Sequence, residues 1–210
     1  MSFAAVCYRC TGHEVPLWAF PNTAAGRYNP ANSWPAQYLA LHPMTPWAEQ
    51  LRNLNLRTPP ETRAMRIPLW AVRVELSDEP LGIGFADAGS YGVDAADLVD
   101  DDRSECQRLA GELQEVGVSS IIVPSAALPG TENLVVFDPA AVIDYHQEPI
   151  DPEDVPCALT GQGGRCPEDL WALVHFTAAG VAHAALQAYI DGDDFEFEQP
   201  PVSAASLVAA

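Results

Sequence analysis

Five short apolar, β-prone runs, each cut off by proline, glycine or asparagine, constrain the fold of this chain more than any other feature. They are residues 3–9 (FAAVCYR), 36–41 (AQYLAL), 67–76 (IPLWAVRVEL), 119–127 (SSIIVPSAA) and 132–137 (ENLVVF), and runs of this kind read as strands. Arg73 and Glu75 turn the third run toward solvent on one face, and residues 128–131 (LPGT) make a hairpin-type connection between the last two. Helical patterns lie between and after the strands. Thr45 followed by Pro46 reads as an N-cap and first helical position, giving a helix over 46–56. Leu109, Leu113 and Val116 recur at helical spacing after Ser104, and Gly117 stops that helix. A longer helix is predicted over about 168–190, with Trp171, Val174, Ala178, Val181 and Ala185 on one stripe. Residues 12–35, 80–102 and 146–168 are irregular and rich in Pro, Gly, Asn or acid. Strands grouped early and late with helices between them predict an α+β fold, a single compact domain with a mixed or antiparallel sheet flanked by helices.

The charge balance narrows the function. There are 29 acidic residues against 10 basic ones, a net charge of −19, and all ten basic residues are arginine. Such a surface repels phosphate backbones and anionic membranes, so nucleic-acid and membrane binding are set aside. At 210 residues and 48% apolar content the chain can bury a sizeable core. The odd set of cysteines at 7, 10, 106, 157 and 166 is not a secreted disulfide framework. The start MSFAAVCYRC lacks the basic and apolar regions of a signal peptide. A cytoplasmic protein is expected. Cys7 and Cys10 have CxxC spacing, but strand alternation points them to opposite faces, and Cys157 and Cys166 are too far apart for a usual zinc ribbon. His175 and His183 lie two turns apart on the predicted last helix, which suits surface or interface positions rather than a shared metal. No metal is expected. The acidic runs 97–102 and 191–198 lack calcium-loop spacing and read as solvated, and the ends 191–201 and 203–210 are expected to fray.

Within residues 26–49 (GRYNPANSWPAQYLALHPMTPWAE) the only formal charges are Arg27 and Glu49. With Arg9, Tyr38 and Ser125 they form a set of polar residues at the ends of predicted strands or at a helix start, where a rigid scaffold displays chemistry. Two guanidiniums suit a diphosphate. Tyr38 offers a face for a flat heterocycle and a hydroxyl for a ribose. A single carboxylate stabilises the positive charge that builds on a sugar ring as its glycosidic bond breaks, and Ser125 can orient that carboxylate or the substrate. Each residue also has a plain structural use: Arg27 can bond loop carbonyls, Glu49 on a first helical turn suits the macrodipole, Tyr38 can fill a core, and Ser125 can end a strand. Glu49 falls one residue beyond the capping-box position, so a cap does not account for it.

Taken in order, Tyr8-Arg9, Gly26-Arg27-Tyr28-Asn29, Tyr38-Leu39, Trp47-Ala48-Glu49, Val123-Pro124-Ser125-Ala126 and Asn133-Leu134-Val135-Val136-Phe137 resemble the RES domain family, named for an Arg, a Glu and a Ser. Tyr28 stands where that family usually has Trp. The resemblance implies an ADP-ribosyltransferase-like fold and the role of a toxin in a bacterial toxin–antitoxin pair, cleaving NAD at the nicotinamide–ribosyl bond by hydrolysis or phosphorolysis. By position, Arg9, Glu49 and Ser125 would be catalytic, while Arg27 and Tyr38 would bind NAD. NAD is then substrate rather than cofactor, phosphate a possible co-substrate, and a cognate antitoxin the expected partner. The catalytic domain would span 1–150, with 151–210 a C-terminal helical extension packed on it. Two other readings follow the same residues: transfer of ADP-ribose to a protein, and a non-catalytic nucleotide-binding or interaction module.

Overall fold

The structure, a computed structural model, describes residues 2–11, 23–137, 166–177 and 181–198. Its centre is a six-stranded sheet in the order β3-β1-β2-β6-β5-β4. The strands are β1 (Phe3–Cys10), β2 (Gln37–Ala40), β3 (Leu69–Leu76), β4 (Leu81–Gly82), β5 (Ser120–Pro124) and β6 (Glu132–Val136). All neighbours are antiparallel except β4 and β5. The five strands read from sequence are therefore present, and the α+β class holds. The two-residue β4 inside the Gly- and Asp-rich connection was not foreseen. Residues 80–102 also fold into two 3₁₀ turns, Ala88–Tyr91 and Ala95–Leu98, the second closed by a reciprocal capping box between Asp94 and Asp97.

Register decides which residues share a face. Tyr8 pairs with Ala40, and Tyr38 with Val135, so Tyr8, Tyr38, Asn133 and Val135 lie on one side of the sheet. Both long helices cover that side. Helix α1 (Thr45–Leu54) buries Trp47, Ala48 and Leu51 against Tyr8 and Cys10, and truncating a buried Trp such as Trp47 to Ala costs about 3–5 kcal/mol. Helix α3 (Ser104–Glu115) buries Cys106, Leu109, Ala110 and Leu113 with Val135, Val123 and Ile121. The opposite side carries Cys7, Leu39, Val72, Val74, Leu134 and Val136. Cys7 and Cys10 thus face opposite ways, and burial pushes the Cys7 thiol up to about 12. A short helix α2 (Pro59–Ala64) follows α1.

Two local expectations are corrected. Thr45 is not the N-cap of α1. Met44 occupies that position without a side-chain cap, while the Thr45 hydroxyl donates to Thr131 Oγ1 at 2.8 Å and ties the helix to the β5–β6 connection. Nor is 168–190 one helix. A 3₁₀ turn at Leu170–Leu173 ends in extended backbone at Val174, where the His175 amide donates to Ala127 O at 2.8 Å. Helix α4 (Ala184–Asp191) starts afresh, with His183 Nδ1 accepting from the Leu186 amide. Bonding to the β5–β6 connection outcompetes continuation of the helix. Leu170 and Val174 join the cluster around Trp47, and Ala178 lies outside the described residues.

The acidic stretch 191–198 is solvated as expected, every residue but Phe197 being exposed, and Phe197 ties it down. Phe197 packs against the Trp47 cluster and its ring lies 5.0 Å from that of His42. In the 97–102 run, Asp101 pairs with Arg52 at 2.6 Å. Residues 199–210 and Cys157 lie outside the described residues. Among the described residues no helix is long and apolar enough to cross a membrane, and no three His, Cys, Asp or Glu side chains converge as metal ligands.

Candidate active site

A cleft of about 260 Å³ opens on the helix-covered side of the sheet. Its walls are Gly26, Arg27 and Tyr28 from the first loop, Tyr38 of β2, Glu49, Arg52 and Asn53 of α1, Arg103 before α3, and Val123, Ala126, Ala127, Asn133 and Val135. Three of the five residues singled out from sequence, Arg27, Tyr38 and Glu49, meet here. A net charge of −19 belongs to the whole chain, yet this cleft gathers three guanidiniums around one carboxylate.

The first loop is built to present Arg27. Gly26 N donates to Asn29 O at 2.9 Å, and the Tyr38 hydroxyl accepts from Tyr28 N at 2.8 Å while donating to Asn29 Oδ1 at 2.7 Å. A Cβ on Gly26 would lie 2.4 Å from both that hydroxyl and Asn29 Oδ1, so only glycine admits this approach. From α3, Gln107 Nε2 holds the carbonyls of Gly26 and Asn29. Tyr38 therefore offers its ring to the cleft, while its hydroxyl proton is committed to Asn29. Burial pushes its phenol well above the ordinary value.

Glu49 sits half-buried one turn into α1, and Asn133 Nδ2 donates to its Oε1 at 2.8 Å. Burial raises its carboxyl above the usual carboxylate value; the Asn133 hydrogen bond pulls it back, followed by Arg9, Arg27 and Arg52. Arg27 and Arg103 each make one long backbone contact, to Asp97 O at 3.4 Å and Ala25 O at 3.3 Å. Arg52 is more committed: it bonds the Ala126 carbonyl, Asp101 and Thr177 Oγ1, bracing α1 against the opposite wall.

Arg9 and Ser125 are placed differently. Arg9 lies on the Cys7 side of β1 and donates to Gln37 Oε1 at 2.8 Å. Burial draws its guanidinium down to about 10, and the negative charge of Glu49 is the first influence opposing that. Arg9 thus acts on the cleft as charge rather than as a wall. The fully buried Ser125 hydroxyl accepts from the amides of Ala127 and Leu128 at 3.3 and 3.1 Å, shaping the turn that carries Ala126 and Ala127. The side chain holding Glu49 is Asn133.

The sequence reading did not single out Arg52, Arg103 or Asn133 as site residues. Arg52 was visible as the base three residues after Glu49 on one helix face. Arg103 is the lone base in residues 97–105 (DLVDDDRSE), and Asn133 is the second residue of the ENLVVF strand, on the side shared with Tyr38. For His183 the helical spacing suits a surface or interface position. The residue is buried, its Nε2 lies 3.0 Å from Ser125 O, and its ring stands 5.1 Å from that of His175. Since Nδ1 accepts from an amide, the proton sits on Nε2. Burial draws this imidazole down to about 4.

A second, larger groove of about 780 Å³ runs along the other side of the β5–β6 connection. Phe85, Tyr189, Phe195 and Phe197 line it beside Glu132, Asp193, Asp194 and Glu196, with no arginine among the described residues of its walls.

A mixed sheet with one face under two helices, and a basic cleft on that face closed around a single held carboxylate, define a small α+β protein equipped to bind an anionic ligand and stabilise a cation beside it. Residues 6–159 match the RES domain family, and the chain belongs to that family. A Mycobacterium tuberculosis (strain ATCC 25618 / H37Rv) protein named probable NAD(+) phosphorylase Rv3189 is 29% identical over 131 residues, which cover 60% of this chain and 60% of that protein. The match thus spans less than two thirds of that relative. The fold is similar to a chain in the crystal structure of the M. tuberculosis MbcT–MbcA toxin–antitoxin complex, at 22% identity and a TM-score of 0.58, over 70% of this chain and 83% of that one.

Proposed function

We propose that this protein cleaves NAD at the bond between nicotinamide and ribose, passing the ribosyl carbon to phosphate or water, and that it is the toxin of a toxin–antitoxin pair. The observation that carries this reading is the Glu49 carboxylate, fixed by Asn133 inside a cleft whose other charges among the described residues are the guanidiniums of Arg27, Arg52 and Arg103. The name of the M. tuberculosis relative agrees with it.

Arg27 and Arg103 hold the diphosphate, each with donors to spare beyond one long backbone contact. The Tyr38 ring packs on the nicotinamide end. At about 260 Å³ the cleft is smaller than the ~300–1,000 Å³ usual for ligand pockets, so it takes the reacting end and leaves the adenosine outside. As the carbon–nitrogen bond breaks, its electron pair goes to the pyridinium nitrogen and neutralises it, while positive charge spreads over C1′ and the ring oxygen of the ribose. The free oxygen of Glu49 faces that charge, and stabilisation of this kind is worth roughly 10²–10³ in rate. Phosphate or water then bonds to C1′; with water, a proton is released. Ser125 serves by holding the turn that forms one wall, and Arg9 by adding positive charge behind Glu49. The products are nicotinamide with ADP-ribose, or with ADP-ribose carrying phosphate on that same ribosyl carbon, and no step calls for a cofactor or metal. A partner antitoxin would act by covering this cleft, in the cytoplasm where NAD is drawn upon.

Induced expression without a partner tests the proposal in cells. The expected result is arrested growth with falling NAD, both abolished by Glu49→Gln. Normal growth at unchanged NAD would refute it, and label from ³²P-NAD retained on a protein would redirect it to ADP-ribosyl transfer.

A further inference from the structure

Glu49 is a long side chain entering a cleft from a helix, and by itself its carboxylate has several rotamers open to it. One contact removes that freedom. Asn133 Nδ2 lies 2.8 Å from Glu49 Oε1, and Asn133 belongs to β6, an interior strand of the sheet. Its backbone is flanked on both sides, by Ala40 of β2 and by Val123 of β5. The amide therefore projects from one of the most constrained backbone positions of the molecule. Glu49 Oε2 has no hydrogen-bond partner among the described residues. The carboxylate is held by one oxygen and offers the other.

We propose that Asn133 is the positioning residue of this site: by donating one amide N–H to Glu49 Oε1 it fixes the carboxylate against the central sheet and directs Oε2 at the ribosyl carbon. This rests on the NAD-cleaving reading and deepens it, since it names the residue through which Glu49 works. The amide orientation follows from the chemistry, because an ionised carboxylate only accepts and the nitrogen of Asn133 must face it. The contact has a second consequence. Burial of Glu49 favours its protonated form, and a protonated carboxyl stabilises a cation poorly. The groups opposing that are the Asn133 amide first, then Arg9 on β1, Arg27 in the first loop and Arg52 on α1 itself. The arginines act through space and are shared with other partners. The Asn133 hydrogen bond acts on this carboxylate alone.

Asn133→Ala and Asn133→Asp test the assignment in the full-length protein. Loss of a hydrogen bond to a charged group lowers a rate by roughly 10–100-fold, and here the loss is expected in kcat, with KM for NAD within about two-fold. The acidic limb of the kcat profile should move to higher pH, because Glu49 then needs a lower proton concentration to ionise. Asn133→Asp, which keeps the shape and replaces the donor by an acceptor, should be the more impaired of the two. In a Glu49→Gln background the Asn133→Ala change should lower the residual rate no further. An activity-independent reading comes from ¹³C NMR of the Glu49 side-chain carboxyl, assigned by its absence in Glu49→Gln; its titration midpoint should rise in Asn133→Ala. Far-ultraviolet circular dichroism and melting confirm that each variant is folded. Wild-type kcat and an unmoved pH limb in a folded Asn133→Ala would overturn the inference while leaving NAD cleavage standing. If the wild type leaves NAD intact the functional proposal fails first, and an unmoved carboxyl titration would then show separately that Asn133 does not control Glu49.

Discussion

The cleft and the groove share Pro124 and flank the same β5–β6 connection, yet they are opposites. The larger groove, about 780 Å³, is aromatic and carboxylate-lined. The smaller cleft, about 260 Å³, holds three of the ten arginines around one glutamate. Size alone favours the groove, whereas the sign of the charge favours the cleft. A dinucleotide carries its negative charge on phosphates, and four carboxylates with no arginine among the described wall residues repel it by a margin that volume does not offset. The held carboxylate adds a second distinction. Glu49 stays in a place where burial opposes its ionisation, which costs stability and is retained in sites that use the charge.

That contrast can be attacked in order of expected effect. Glu49→Gln should lower NAD cleavage by roughly 10²–10³-fold without lowering the melting temperature at pH 7. The sign follows from linkage. The folded-state carboxyl lies above its unfolded value of about 4.3, so its ionisation disfavours the fold. That penalty is absent below about pH 4 and grows as pH rises through the folded pKa. Melting curves should therefore coincide near pH 4 and separate in favour of the variant at pH 7. Next, Arg27→Ala and Arg103→Ala should each lower kcat/KM for NAD by roughly 10–100-fold through lost charge-assisted contacts. Asp193→Asn and Phe195→Ala in the groove should stay within two-fold. Equal losses in both places would erase the contrast.

Gly26→Ala attacks the cleft through its backbone. A methyl 2.4 Å from the Tyr38 hydroxyl and Asn29 Oδ1 must displace them, at about 1–3 kcal/mol, and both melting and cleavage should fall. The smallest effect on cleavage concerns His183 behind the wall. Its folded-state value near 4 lies below the unfolded value of about 6.5. Its neutral form thus contributes stability above pH 6.5, lost as pH falls toward 4 at up to about 1.4 kcal/mol per pH unit. His183→Gln should flatten the melting profile between pH 6.5 and 4, leaving the neutral-pH rate close to wild type.

The sequence showed the sheet more clearly than the last third of the chain, for a physical reason. Strands such as 3–10 and 69–76 carry their pattern locally, and β3 keeps Arg73 and Glu75 exposed as alternation requires. The stripe from Trp171 to Ala185 satisfied helical spacing without one helix. Trp171 and Val174 pack on the Trp47 cluster, Val181 is largely exposed, and His175 bonds the β5–β6 connection, all long-range choices invisible in a local window. Thr45 failed as a cap for a similar reason, since Thr131 lies 86 residues away. In the site, Arg27, Tyr38 and Glu49 were legible because each sits in a short, distinctive segment. Asn133 was not, because a single amide in a strand signals nothing until the helix opposite it is placed.

Incubating the purified protein with NAD, with and without phosphate, and separating the products chromatographically beside a Glu49→Ala control tests the account most directly. The account predicts nicotinamide release by the wild type and none above background by the variant, with the second product identifying phosphate or water as acceptor. NAD left intact by a folded wild-type protein under both conditions would contradict it.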